Sequence, residues 1–311
     1  IMRTLGIDTS NYTTSAAVFD GEGGENAGRL LEVRPGELGL RQSDALFQHV
    51  KALPGRFAQL KEGGWLEGLC AVGASTRPRA IEGSYMPCFL AGESQGRTLA
   101  SALGIPFFAC SHQQGHIAAA AWSAGRLDLL DKPMLAWHLS GGTTELLYVE
   151  PDGVNVKATL LGSTSDISAG QLIDRTGVLL GLEFPAGRAV DHLAREGNDS
   201  KFSVKLDNFT FSLSGMENKV KTMAEQGAEK ADIARFALLT VADVVKRATL
   251  AALEQYPGLP VLCSGGVASN TLLRQVMEPL GAVFAQPRIS TDNAMGTAIL
   301  TWRAVKVGEL T

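Results

Sequence analysis

The sequence predicts a duplicated α/β domain with a cleft between its halves, and three observations carry that prediction. The first is a repeated order of elements: strand, Ser/Thr/Gly turn, strand, turn, strand, then a switch to helix and strand. It begins once near residue 3 and again near residue 134. The second is that two polar turns, Thr9-Ser10-Asn11-Tyr12-Thr13 and Ser140-Gly141-Gly142-Thr143-Thr144, fall at the same place in each half. The third is size, because 311 residues of which 45% are apolar and 19% charged can bury two cores.

Each element follows from local pattern. In the first half, apolar runs over 3–8 and 14–19 flank the first polar turn and read as a hairpin, with a third strand over 29–33. Leu46, Val50 and Leu53 recur on one face, which predicts a helix over 43–53. A buried strand over 69–73 follows, then a helix rich in small residues over 86–103, stopped by Gly104, and a strand over 105–109. The second half gives strands over 134–139, 145–149 and 156–161, with Pro151-Asp152-Gly153 turning between the last two. Helices are expected over 166–180, 188–195 and 232–256, a strand over 259–263, and helices over 267–280 and 292–305. The expected division is 1–126 plus 290–311 as the N-terminal lobe and 127–289 as the C-terminal lobe.

Composition excludes several classes. The longest apolar stretches are interrupted well before the roughly 20 residues of a membrane span, and the N-terminus lacks the basic-then-apolar pattern of a secretory signal. Cys70, Cys88, Cys110 and Cys263 form no CxxC pair, the usage of a reducing cytosol and neither a disulfide framework nor a zinc ribbon. A net charge of −4 argues against gripping nucleic acid by overall charge. A local basic groove remains open, with Arg77, Arg79, Lys201 and Lys205 as candidates that solvation of the surface would equally explain.

Five constellations carry possible chemistry. In Ser140-Gly141-Gly142-Thr143-Thr144 the glycines let the backbone approach an anion while N–H groups and hydroxyls donate to it; a plain hairpin turn is the simpler alternative. In His112-Gln113-Gln114-Gly115-His116, helical spacing puts both imidazoles on one face within reach of one metal, or leaves a solvated pair. Two histidines want a third ligand, most simply a carboxylate. His49, His138 and His192 stand alone and read as structural. Cys263-Ser264-Gly265-Gly266-Val267-Ala268-Ser269-Asn270 is a strand end opening into a helix, where paired glycines admit a flat ligand or phosphate. Ser290-Thr291-Asp292-Asn293 opens the last helix, with Asp292 as a cap or a metal ligand. Asp166, Gly170 and Asp174 recur along one helix face, suited to a ribose diol or simply a polar face.

Taken together, His112-x-x-x-His116, Ser140-Gly-Gly-Thr, Asp174, Phe184-Pro-x-Gly187, the Asn208-Phe-Thr-Phe-Ser-Leu-Ser-Gly215 stretch, Gly265-Gly-Val-x-x-Asn270 and Thr291-Asp292-Asn293 resemble the TsaD family, in order over nearly the whole chain. These are bacterial tRNA threonylcarbamoyladenosine-forming transferases, once labelled O-sialoglycoprotein endopeptidases. The resemblance implies the actin-like/Hsp70-like ATPase (ASKHA) fold, two lobes around a nucleotide cleft, which agrees with the duplication. It implies one divalent metal, iron or zinc, on His112, His116 and Asp292. It implies that Ser140, Gly141, Gly142, Thr143 and Thr144 form the substrate loop. Asp174, Gly187 and Asn270, with Gly265 and Gly266, would hold ATP or threonylcarbamoyl-adenylate. The implied reaction moves a threonylcarbamoyl group from the adenylate to N6 of adenosine in tRNA. Its implied partners are the adenylate-supplying synthase and TsaB/TsaE-like proteins, with a homo- or heterodimer expected and a cytoplasmic location.

The departures are equally specific. The family's Glu-Thr-Ser-Cys-Asp-Glu-Thr opening stands here as Asp8-Thr9-Ser10-Asn11-Tyr12-Thr13-Thr14, without the two acids that are candidate bases for the attacking amine. Its HxEGH has Gln114 in place of the Glu, its SGGHT has Thr143 in place of the His, and its Ala-Gly-Pro-Gly loop is Ser75-Thr76-Arg77-Pro78-Arg79. Binding residues are kept and reactive ones changed. The resemblance therefore leaves two other readings: a paralogue that binds metal and an acyl-adenylate but serves another acceptor, as carbamoyltransferases with a related domain do, or a non-catalytic partner of a true family member.

Overall fold

The computed structural model describes residues 1–10, 12–37, 39–287, 294–308 and 310. The chain divides into two compact units, Ile1–Asp131 with Pro151–Lys157 and Ile289–Thr311, and Lys132–Glu150 with Ala158–Arg288.

The first unit is built on β1 (Arg3–Thr9), β2 (Thr13–Phe19), β3 (Gly24–Leu30), β4 (Leu69–Arg77) and β5 (Phe107–Ser111), in the spatial order β3-β2-β1-β4-β5. The first three strands run antiparallel and β4 and β5 join in parallel. Strand β2 is buried along its whole length and β1 nearly so, the continuous apolar pattern of strands covered on both faces. Helices α1 (Gln42–Glu62) and α2 (Phe89–Leu103) pack on one face against Leu5, Ile7, Val18 and Val72. On the other face lies α9 (Met295–Lys306), and α3 (His112–Ser123) packs against it. Gly6 and Gly73 make room for α9: a Cβ on Gly6 would stand 2.4 Å from Ala298 N, and one on Gly73 1.9 Å from Thr301 Oγ1. In these strands glycine marks close backbone approach, not weakness.

Four expectations are corrected here. The third strand is Gly24–Leu30, not 29–33, because Asp20 Oδ1 takes the N–H groups of Glu22 and Gly23 and closes the turn early. Helix α1 runs through Pro54 to Glu62, since Leu60 continues the buried face begun by Leu53. The small-residue helix starts at Phe89 and the following strand at Phe107, each later than the pattern predicts.

The second unit repeats the plan with β6 (Met134–Leu139), β7 (Thr144–Asp152), β8 (Asn155–Ser163), β9 (Val261–Ser264) and β10 (Ala282–Phe284), in the order β10-β9-β6-β7-β8. Strand β6 is antiparallel to β7 and parallel to β9. Read from the other edge, this is the order of the first sheet, so the duplication is one of topology. Helices α4 (Ala169–Leu179), α5 (Gly187–Ala194), α6 (Ser214–Glu225), α7 (Lys230–Gln255) and α8 (Thr271–Met277) complete the unit. Its core joins Trp137, Leu146, Val241, Val244, Val245 and Leu273, and Trp137 Nε1 donates to Thr249 Oγ1 at 2.9 Å. The expected helix over 267–280 is broken, because Asn270 is extended and caps a new helix through Leu273 N–H. Helix α6 and strand β10 are additional to the expected elements. Among the described residues no helix is long and apolar enough to cross a membrane.

Candidate functional site

In the first unit the residues gather where β1 and β4 end and α3 begins. Asp8, at the end of β1, is 2% exposed. Its Oδ2 lies 2.7 Å from His112 Nδ1 and accepts from Ser75 Oγ at 2.8 Å, while Oδ1 accepts from Ser10 N at 3.1 Å. Burial by itself would raise this carboxyl, but the His112 charge and these donors hold it below the usual carboxylate range. An ionised Asp8 can only accept, so His112 carries its proton on Nδ1 and a metal would be taken at Nε2. A carboxylate behind one ring nitrogen is the usual setting of a metal-ligating histidine. This geometry fits the metal that the resemblance implies.

His116 follows one turn later on α3. The helix is started by a capping box in which Ser111 Oγ accepts from Gln114 N at 3.1 Å and Gln114 Oε1 from Ser111 N at 2.8 Å. Gln114 Nε2 also donates to Val156 O at 2.8 Å, a bond a glutamate could not make. Gly115 is where α3 meets the start of α9, since a Cβ on Gly296 would lie 1.6 Å from Gly115 O. In this motif the glutamine and the glycine place the helix. The described residues hold no group of three His, Cys, Asp or Glu side chains able to bind a metal. Ser290, Thr291, Asp292 and Asn293, and with them the expected third ligand, lie outside the described residues, as does Asn11.

In the second unit the turn Ser140-Gly141-Gly142-Thr143-Thr144 joins β6 to β7. Ser140 N donates to Thr143 O at 2.8 Å, and Ser140 Oγ accepts from Gly142 N at 3.4 Å and Thr143 N at 3.1 Å. Thr144 Oγ1 accepts from Ala169 N and Ser168 Oγ donates to Gly141 O, both at 2.8 Å, fastening the turn to the start of α4. Two glycines let other backbone press against it: a Cβ on Gly170 would lie 2.4 Å from Ser140 O, and one on Gly265, whose φ is +94°, 2.0 Å from Leu139 O. Gly141 and Gly142 are exposed, with open space where a Cβ would be, so the backbone of the turn is accessible there. Gly187 and Gly266 are similarly open.

Asp174 accepts from Ala186 N at 2.8 Å through Oδ1 and so holds the Phe184-Pro185-Ala186-Gly187 segment at the start of α5. Asn270 is 7% exposed; besides capping α8 it donates from Nδ2 to Asp191 Oδ1 at 3.3 Å. Asp191 also accepts from Thr271 Oγ1 at 2.9 Å. Gly265 thus packs against the end of β6, Asp174 and Gly187 stand at the start of α5, and Asn270 stands at the start of α8.

Sequence reasoning missed Asp8 as the partner of His112, His49, and Asp166 as an anchor. His49 is fully buried, with Nδ1 at 2.7 Å from Thr14 Oγ1 and Nε2 at 2.6 Å from Ser10 O. Asp166 accepts from Leu213 N at 2.9 Å and from the hydroxyls of Ser212 and Ser214, and these donors hold its carboxyl well below the usual range against the opposing effect of burial. It thereby fastens the Asn208–Gly215 stretch. A carboxylate ending a buried strand, as Asp8 does, was the readable signal. The other two depend on contacts more than thirty residues apart in sequence. Lys201 is paired with Asp243 at 2.7 Å. Burial pushes Cys110 and Cys263 up to about 12 and Cys88 up to about 11, so these thiols are not nucleophiles near neutral pH.

The family model of TsaD, tRNA N6-adenosine threonylcarbamoyltransferase, matches residues 83–299. A tRNA N6-adenosine threonylcarbamoyltransferase of Thermus thermophilus is 35% identical over 316 residues, covering 97% of this chain and 93% of that one. The protein of the same name from Lactiplantibacillus plantarum is 35% identical over 220 residues, 66% of this chain, and the match spans only 61% of that relative's length. Among solved structures, component A of the (R)-2-hydroxyglutaryl-CoA dehydratase of Acidaminococcus fermentans superposes with a TM-score of 0.55 at 16% identity, over 98% of this chain and 100% of that one. That likeness is one of fold alone, and the fold is the actin-like ATPase (ASKHA) fold that the duplicated sheets describe. With the family model matching more than half of its length and a relative aligned along nearly all of it, this chain belongs to the TsaD family.

Proposed function

We propose that this protein transfers a threonylcarbamoyl group from threonylcarbamoyl-adenylate to N6 of an adenosine in tRNA, in the cytoplasm. In this reading it works with an adenylate-supplying synthase and TsaB/TsaE-like partners. The observation that carries the reading is the Asp8–His112 pair at 2.7 Å at the head of the helix that also bears His116. A buried carboxylate that fixes one imidazole by its Nδ1 is expected of a metal site and is of little use to a solvated histidine pair.

His112 and His116, with Asp292, would hold a divalent metal, iron or zinc. When bound, it supplies Lewis-acid polarisation of the adenylate's phosphate or carbonyl oxygens. The other steps fall to the chain's own groups. The open backbone at Gly141, Gly142 and Gly266, with Gly265 packed beside the turn, receives the phosphate of the nucleotide, where N–H groups can face the anion without side chains in the way. Asp174 and Asn270 orient the ribose and base, and their bonds to Ala186 N, Asp191 and Leu273 N keep them from turning away. No side chain of the chain is assigned as the base for the attacking amine, since Tyr12 and Thr13 stand where the family has acids.

The test is transfer itself. Purified protein is given threonylcarbamoyl-adenylate, host tRNA and the host's partner proteins, and the modified nucleoside is sought by mass spectrometry. Product above a control lacking this chain is the expected result. No product, beside an active housekeeping homologue, would assign this chain another acceptor.

A further inference from the structure

We propose that His49 is a positioning residue for the histidine site, acting through Ser10 and Asp8 to set the orientation of His112. The proposal rests on the reading of His112 as a metal ligand. Four residues from three elements form one unbroken chain of hydrogen bonds. His49 Nε2 meets Ser10 O at 2.6 Å, Ser10 N meets Asp8 Oδ1 at 3.1 Å, and Asp8 Oδ2 meets His112 Nδ1 at 2.7 Å.

The chemistry of each atom fixes the direction of every bond. Ser10 O is a carbonyl and can only accept, so His49 carries its proton on Nε2. His49 Nδ1 then presents a lone pair and accepts from the Thr14 hydroxyl at 2.7 Å. Ser10 is thus held at both ends, its carbonyl by His49 and its N–H by Asp8. Asp8, fixed by Ser10 and Ser75, is left to accept from His112. Asp8, Ser10 and His49 are buried, at 2%, 5% and 0% exposure, and the His112 side chain at the end of the chain is 24% exposed.

Packing alone does not explain a histidine here. His49 sits on the face of α1 that also buries Ala45, Leu53 and Leu60, where an apolar side chain would serve the core without two polar atoms to satisfy. What the imidazole adds is a donor to one end of the β1–β2 turn and an acceptor for the other. The turn it braces carries the carboxylate that faces His112.

The test compares His49→Leu, which keeps volume and loses both bonds, with His49→Gln, which keeps a donor and an acceptor. Ring-nitrogen chemical shifts of His112 are read by NMR in the metal-free protein, and zinc affinity by competition with a chelating dye. His49→Leu is expected to move His112 away from a single Nδ1–H form and to weaken zinc by about tenfold, the lower end of what groups behind a ligand contribute. His49→Gln is expected to restore most of both. Wild-type shifts and wild-type zinc affinity in folded His49→Leu would overturn the proposal. Should that variant fail to fold, Thr14→Val, which removes only the donor to His49, must move both readouts the same way, and unchanged values there overturn it too. If the wild-type protein takes up no zinc, the metal reading fails, and the ring-nitrogen shifts still decide whether His49 sets His112.

Discussion

Gln114 shows at the level of one residue how a departure from the family pattern can be structural. Its amide accepts from Ser111 N and donates to Val156 O, so it caps α3 and ties down residue 156 together. Gln114→Glu keeps the first bond and loses the second, and sets an acceptor against a buried carbonyl. A loss of about 1–3 kcal/mol in urea-unfolding stability is expected. Unchanged stability would mean that the Val156 bond contributes nothing. His49 gives a second expectation. Burial lowers its pKa, mainly by penalising the charged ring, against the bond to Ser10 and the nearby Asp8 charge. Above about pH 6.5 both folded and unfolded states hold it neutral. As pH falls below that, the unfolded chain takes up a proton that the folded protein refuses, so stability drops until the folded pKa is reached. Denaturation followed between about pH 7 and about pH 5 should show this slope in the wild type and a shallower one in His49→Gln.

At the scale of elements, the second-unit turn is held by backbone contact at glycines. Gly265→Ala would push a methyl into Leu139 O and force an L-residue into a positive φ. A loss of about 2 kcal/mol or more in stability is expected, with weaker ATP binding by titration calorimetry. Gly266→Ala, where space is open, should leave stability within about 0.5 kcal/mol of wild type. Asp166 anchors another element. Its carboxyl is held below its ordinary value, so its contribution is present above about pH 4 and is lost as pH falls through the folded value. Asp166→Asn should loosen the Asn208–Gly215 stretch, seen as faster amide exchange at Leu213 and Ser214, whose N–H groups it holds. Exchange as slow as in the wild type would assign the anchoring elsewhere.

For the molecule as a whole, the two sheets share one strand order, and each carries its polar turn between its two central antiparallel strands. A ligand that binds only the folded protein should raise the melting temperature, by the equivalent of about 2.7 kcal/mol at a hundredfold excess over Kd. ATP added without metal should do so through the second-unit turn, and Gly265→Ala should abolish the shift.

The sequence by itself determined the duplicated strand plan and the placement of both polar turns, because alternation, apolar runs and Ser/Gly turns are local signals. It also determined the family, since motifs such as His112-x-x-x-His116 and Ser140-Gly141-Gly142 keep their order along the chain. The tertiary structure alone decided what lies behind those motifs. Asp8 meets His112 across 104 positions, Ser75 meets Asp8 across 67, and His49 braces Ser10 across 39. The glycines Gly6, Gly115, Gly170 and Gly265 prove to be points of backbone contact, and not flexible joints. Hydrogen bonds and close approaches of this kind depend on which strands become neighbours. A one-dimensional pattern does not carry that information until the sheets have formed.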